Sequence, residues 1–153
     1  MDKTNALRIL DAEGIKYVVR EYDPEITDGE SVAKATGSDP DRTMKTLVTV
    51  GSDGNHYVFV VPVCFSLDLK KAAKAAQVKR VEMIKQKELF PLTGYVHGGC
   101  SPIGMKKKFI TIVSDTATLF DTVTVSAGRK GMQAEMSIDD FLRASGATIA
   151  EII

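Results

Sequence analysis

Two β-rich runs, MKTLVTV and HYVFVVPV, stand five residues apart with GSDGN between them. Valine, threonine, tyrosine and phenylalanine suit a pleated surface. Asp53-Gly54 tolerates the positive φ that a tight turn requires. The pattern predicts a β-hairpin over residues 44–63, and any fold for this chain must be built around it.

The flanking segments supply helices as well as strands. Thr4 is placed to cap a helix carrying Leu7 and Leu10 that stops at Gly14. Ile15, Tyr17 and Val19 alternate as in a half-buried strand. Thr27 and Glu30 fit a capping box for a helix through Ser31–Ala35, ended by Gly37. DLKKAAKAAQ is rich in helix formers, and EMIKQKELF reads as a further helix closed by Pro91. FITIVSD and TVTVSAG read as strands around the short connection TATLF, followed by a strand over GMQAEMS. Ser137 caps a last helix that ends before Gly146. The expectation is one α+β domain over 1–153, with a mixed, largely antiparallel sheet and flanking helices.

Composition narrows the class. With 153 residues, 44% hydrophobic and 26% charged, the chain suits one globular core. No apolar run approaches the ~20 residues of a membrane span. The acidic, amphipathic start MDKTNALRILDAEG does not read as a secretory signal. Two cysteines make no disulfide framework, and a reducing cytoplasm is the expected location. The net charge of zero conceals an asymmetry: residues 1–41 hold ten acidic and five basic side chains, and residues 42–153 hold ten and fifteen. The basic residues fall in clusters, among them Lys70, Lys71 and Lys74, then Lys106, Lys107 and Lys108, then Arg129 and Lys130. Singly these are solvated lysines; converging, they make a phosphate-attracting face.

Several chemistries find no support. There is no G-x-G-x-x-G opening a helix after a strand and no G-x-x-x-x-G-K-[ST]. His97 and Cys100 lack a second ligand pair, so neither a metal nor another cofactor is expected. No nucleophile elbow occurs. Cys100 itself has two readings, an accessible thiol activated by His97 or Lys106, or a small half-buried residue in a turn; the second is favoured because free cysteine behaves as a small hydrophobe.

Lys45 is out of keeping with the apolar strand it enters. Either it lines a cleft and meets an anion, or it guards a strand edge. Two glycine-bearing loops supply what the first reading needs. In TGYVHGGCSPIGMKKK, Gly98, Gly99 and Gly104 let backbone N–H groups approach a ligand, and Pro102 fixes one turn. SAGRKG adds Ser126, Gly128 and Gly131 beside Arg129.

KTLV, SLDLKKAAKAAQVKRVEM, the glycine loop and VSAGRKGMQAEMSIDDF, in that order, resemble the YbaK/EbsC family, which groups with the editing domains of prolyl-tRNA synthetase. The likeness runs over nearly the whole chain. It implies a mixed α/β fold with a sheet-lined cleft and hydrolysis of wrongly charged aminoacyl-tRNA, best matched by Cys-tRNA(Pro). Deacylation of another small misacylated residue, as in Ala-tRNA(Pro), and a non-catalytic tRNA- or synthetase-binding module are the alternatives. By the resemblance Lys45 is the activity-bearing lysine, Tyr22 a pocket tyrosine, and Gly98, Gly99, Ser101, Pro102 and Gly104 the substrate loop. Ser126 and Gly128 match the second loop. Met44 stands where phenylalanine is usual, and Cys100 where an aliphatic residue is usual.

Backbone N–H groups from Gly99 through Ser101 are then the expected oxyanion donors. Lys70, Lys71, Lys74, Lys106, Lys107 and Arg129 are the expected grip on tRNA phosphates. Prolyl-tRNA synthetase is an expected partner in a ternary complex, and the protein itself is expected to be a monomer or weak dimer.

Overall fold

The computed structural model describes residues 2–153. The predicted hairpin is its centre. β2 (Met44–Gly51) and β3 (His56–Pro62) pair antiparallel from Met44↔Pro62 to Val50↔His56. Gly54 turns the chain at φ 83, and the Asp53 carboxylate accepts from Asn55 N and the Tyr57 hydroxyl. Because β3 is buried on both faces, its sequence is a continuous apolar run rather than an alternating one. Val58 and Val60 enter one core, while Tyr57, Phe59 and Val61 enter another under α3 (Leu69–Ala76). Each of Val58, Phe59, Val60 and Val61 is fully buried, worth roughly 1.5–3 kcal/mol apiece.

The α+β expectation holds, but the strands form two sheets. One has three strands in the order β1 (Val18–Glu21), β7 (Met132–Ser137), β6 (Thr122–Arg129), all antiparallel. The other has five, in the order β4 (Val81–Met83), β2, β3, β5 (Ile110–Ser114), β8 (Thr148–Ala150). β3, β5 and β8 run parallel, with β5 and β8 each reached by a long crossover. TATLF, read as a connection between strands, is part of a 3-10 turn at Asp115–Leu119 that carries the chain from the larger sheet to the smaller.

A parallel bridge between Thr43 and Thr124 joins the two sheets. Thr124 N donates to Arg42 O and Val63 N to Thr43 O. The fully buried Thr43 hydroxyl donates at 2.8 Å to Ser38 Oγ and is 2.8 Å from Asp39 O. This seam immediately precedes Met44 and Lys45.

Three local expectations need correction. α2 (Gly29–Thr36) is capped by Asp28, whose carboxylate accepts from Ser31 N and Oγ, in place of the Thr27–Glu30 box. EMIKQKELF is not one helix: Val81–Met83 forms an edge strand against β2, and α4 (Gln86–Thr93) runs through Pro91 and stops at Gly94. Within α4, Pro91 removes only its own N–H, and Gly94 at φ 81 terminates the helix by donating to Phe90 O. The first strand is Val18–Glu21, where β7 is present to pair with it. α1 (Asn5–Ala12) with its Thr4 cap and α5 (Ile138–Ser145) with its Ser137 cap lie as predicted.

Candidate active site

A cavity of about 250 Å³ opens where the sheet seam, the first turn of α2 and the glycine loop meet. Tyr22, Met44, Lys45, Gly98, Cys100 and Ser126 all line it. The local chain explains why. Tyr22 follows β1 and donates its backbone N–H to Gly131 O, which ties it to the second loop. Gly29 begins α2 so close to β3 that a Cβ there would meet Val63 Cγ1 at 2.7 Å. Ser126 stands at an irregularity in the β6–β7 register, with its Oγ accepting from Gly128 N.

Lys45 is half-buried, paired across the hairpin with Val61, and has no ion pair or hydrogen bond among the described residues. Of the two readings open in the sequence, its place in the cavity wall matches the cleft and not the guarded edge. Asp28, at the mouth, is held below the usual carboxylate range by its bonds from Ser31, with the Lys45 charge a smaller influence.

Cys100 is buried, and burial pushes its thiol up to about 12, against a smaller opposing hydrogen bond with Thr93. Of the two readings of Cys100, this burial matches the favoured one, a small residue packed in the wall, and not an accessible, activated thiol.

The remaining loop residues have other work. Gly99 N donates to Val96 O, so it is not a free oxyanion donor. A Cβ on Gly99 would come within 2.8 Å of three backbone atoms of Arg129 and Lys130. The Ser101 side chain is fully buried, and its Oγ accepts from Ile103 N. Among the described residues, the N–H groups of Cys100 and Ser101 have no intramolecular acceptor. Gly99, Ser101, Pro102, Gly104 and Gly128 do not line the cavity, which corrects the placing of Gly99 and Ser101 at the reacting ester. Gly104 and Gly128 press instead against Tyr95, whose hydroxyl donates to Ile103 O, and against the start of α1. Thr4 Oγ1 donates to Ala127 O and Asn5 Nδ2 to Gly104 O, so α1 latches both loops.

The expected basic residues divide. Lys71 is committed to Glu151 and the Ile153 carbonyl, both at the far end of the chain. Lys70 and Lys74 are exposed on α3. Lys106 lies over the Phe90 ring at 5.3 Å, and Lys107 lines a separate groove with Lys108 and Arg143. Arg129 is exposed, and Lys130 passes 3.6 Å from where a Gly98 Cβ would stand.

Sequence reasoning missed Thr46 and Gln133. Both line the cavity, and each holds a buried oxygen without a hydrogen-bond partner among the described residues. A threonine in KTLV and a glutamine in a strand carry no local signal of this; the assembled cavity reveals it.

The aminoacyl-tRNA editing domain family matches residues 23–144. The chain belongs to that family. Among relatives of this editing domain, a protein of Enterococcus faecalis named "Putative Cys-tRNA(Pro)/Cys-tRNA(Cys) deacylase EbsC" is 43% identical over 152 residues, 98% of this chain and 93% of that protein. A solved structure described as a "putative trans-editing enzyme for prolyl tRNA synthetase" superposes with a TM-score of 0.85 at 24% identity, covering 99% of this chain and 98% of the other. Another, hypothetical protein APE2540, gives 0.88 at 22%, over 97% and 99%. At those identities the two structures establish the editing-domain fold. No helix among the described residues is long and apolar enough to cross a membrane.

Proposed function

We propose that this protein is a trans-editing deacylase that clears cysteine from Cys-tRNA(Pro). The observation that carries the reading is an unpartnered Lys45 in the same small cavity as Cys100, whose backbone N–H has no acceptor among the described residues. An aminoacyl ester is already activated, so its hydrolysis needs orientation and stabilisation of a developing oxyanion more than an enzymic nucleophile. The protonated, buried Cys100 is consistent with that economy.

In this mechanism Lys45 holds the terminal nucleotide or polarises the ester carbonyl. The Cys100 N–H receives the oxyanion. The substrate's own thiol attacks the carbonyl carbon, the bond to the ribose oxygen breaks, and that oxygen takes the proton the thiol gives up. Water then opens the released cyclic thioester. Exposed lysines at the rim, Lys106 and Lys130 among them, attract acceptor-stem phosphates without reading sequence. Prolyl-tRNA synthetase supplies tRNA identity in a ternary complex, with the editing protein acting in the cytoplasm as a monomer or weak dimer.

Alanine remains the competing substrate, because one methylene is worth only ~1–3 kcal/mol of discrimination. Deacylation of Cys-tRNA(Pro), Ala-tRNA(Pro) and Pro-tRNA(Pro) by the wild type and Lys45→Ala is the test. Lys45-dependent loss of cysteine alone supports the assignment, and loss of alanine alone transfers it to the alanine branch. A Lys45→Ala variant that deacylates normally removes the lysine from the mechanism. No turnover at all leaves a binding module.

A further inference from the structure

Gln133 is a polar residue of the cavity wall whose side chain has no partner among the described residues. Only 6% of its surface is exposed, yet its side-chain amide makes no hydrogen bond among the described residues, and its Oε1 is buried. Buried side-chain oxygens are nearly always paired, so an orphan on a residue that lines the cavity points to a partner that enters through it. Nearby donors are already engaged. Arg20, the Cα partner of Gln133 across the β1–β7 pair, gives its guanidinium to Glu135. Arg42 is spent on Glu135 and Thr122. Thr46 brings a second orphan oxygen to the same cavity, and the ionised Asp28 carboxylate stands in its wall.

We propose that Gln133 receives the α-ammonium group of the aminoacyl ester, with Thr46 as the second acceptor. The inference rests on the deacylase reading above and names the subsite that holds the amino acid. Of the donors an aminoacyl ester carries, the ammonium alone offers three N–H bonds from one atom. A ribose hydroxyl offers one, and a thiol only a weak one. Bonds from a charged donor are also the stronger kind. Lys45 and Thr46 are neighbours on β2, and both line the cavity. The arrangement leaves the donors, Lys45 and the Cys100 amide, for the ester and phosphate oxygens, and the acceptors for the amine.

The test uses the amide-linked analogue of cysteinyl-adenosine, in which nitrogen replaces the ester oxygen, and its 3-mercaptopropionyl counterpart lacking the α-amine. Calorimetry gives the ratio of their affinities for the wild type, Gln133→Met and Gln133→Glu. The wild type is expected to prefer the amine-bearing analogue by about tenfold, as loss of one charge-assisted bond implies. In Gln133→Met the ratio should fall to near one. Gln133→Glu, which keeps the acceptor, should retain at least the wild-type ratio, and it decides the matter if the methionine variant does not fold. A preference unchanged in Gln133→Met, or lost in a folded Gln133→Glu, overturns the proposal. If the wild type deacylates Cys-tRNA(Pro) while Gln133→Met keeps the preference, this inference alone fails. If it deacylates nothing and binds neither analogue, the deacylase reading fails with it.

Discussion

Gly99 and Arg129 belong to different loops, yet a Cβ on Gly99 would stand 2.7 Å from the Arg129 carbonyl carbon. The obstacle is backbone and not the end of a flexible side chain. The two loops that frame the cavity therefore pack main chain to main chain, and the Cys100 wall is set by the position of the other loop.

Gly99→Ala should consequently act on both stability and site geometry. Forcing one methyl into a packed contact typically costs about 1–3 kcal/mol. Urea denaturation should show a loss of that size, and deacylation should fall with it because Cys100 is displaced. Unaltered stability would mean the loops can separate.

Lys45 should show the opposite pattern. Having no ion pair among the described residues, it contributes little that Lys45→Ala would remove from the fold. Activity should drop about 10²–10³-fold, the scale seen when one electrostatic stabiliser of a transition state is deleted. Deacylation rates paired with thermal melts decide this; a melting temperature lowered in step with activity would make the lysine structural.

Glu135 gives the protein an acid-sensitive joint. Burial alone would raise its carboxyl, but bonds from Thr122, Arg20 and Arg42 outweigh that and bring it down to about 2. Because the folded-state value is depressed, the stabilisation is fully present above the ordinary glutamate range near 4.5 and is lost as pH falls toward 2. The contribution is on the order of 3 kcal/mol at neutral pH. Glu135→Gln should lose about that much at pH 7 and converge on the wild type near pH 2, as read by denaturation across the range.

Cys100 should resist alkylation. With its thiol pushed up to about 12, almost no thiolate exists near pH 8. Iodoacetamide followed by peptide mass analysis should leave Cys100 unmodified until the protein is unfolded, and deacylation should survive the treatment. Rapid native-state labelling of Cys100 with loss of activity would restore it as a candidate nucleophile.

Much of this architecture was legible in the chain because its signals are local. The 44–63 hairpin, the Thr4 and Ser137 caps and the glycines after α2 and α5 each depend on a few neighbouring residues. Division into two sheets was not legible, since it depends on which distant strands pair. Nothing in FITIVSD says that it will lie parallel to β3, and TIA at 148–150 is too short to declare itself a strand. The same limit applies at the site. KTLV and the glycine loop marked the right cavity, but sequence treated every loop glycine as a ligand contact. Gly104 and Gly128 instead make room for Tyr95 and Thr4, and the orphan oxygen of Gln133 exists only once β1, β6 and β7 have closed around it.

The latch formed by Thr4 and Asn5 has a consequence for comparing editing domains. The editing-domain family match spans residues 23–144, whereas the hydrogen bonds to Ala127 and Gly104 come from Thr4 and Asn5, outside that span. Two homologues could thus share every cavity residue and still hold their loops at different tensions, according to how each begins. Transplanting the matched segment alone would leave behind Tyr22 and β1 as well as the part that sets the cavity's aperture.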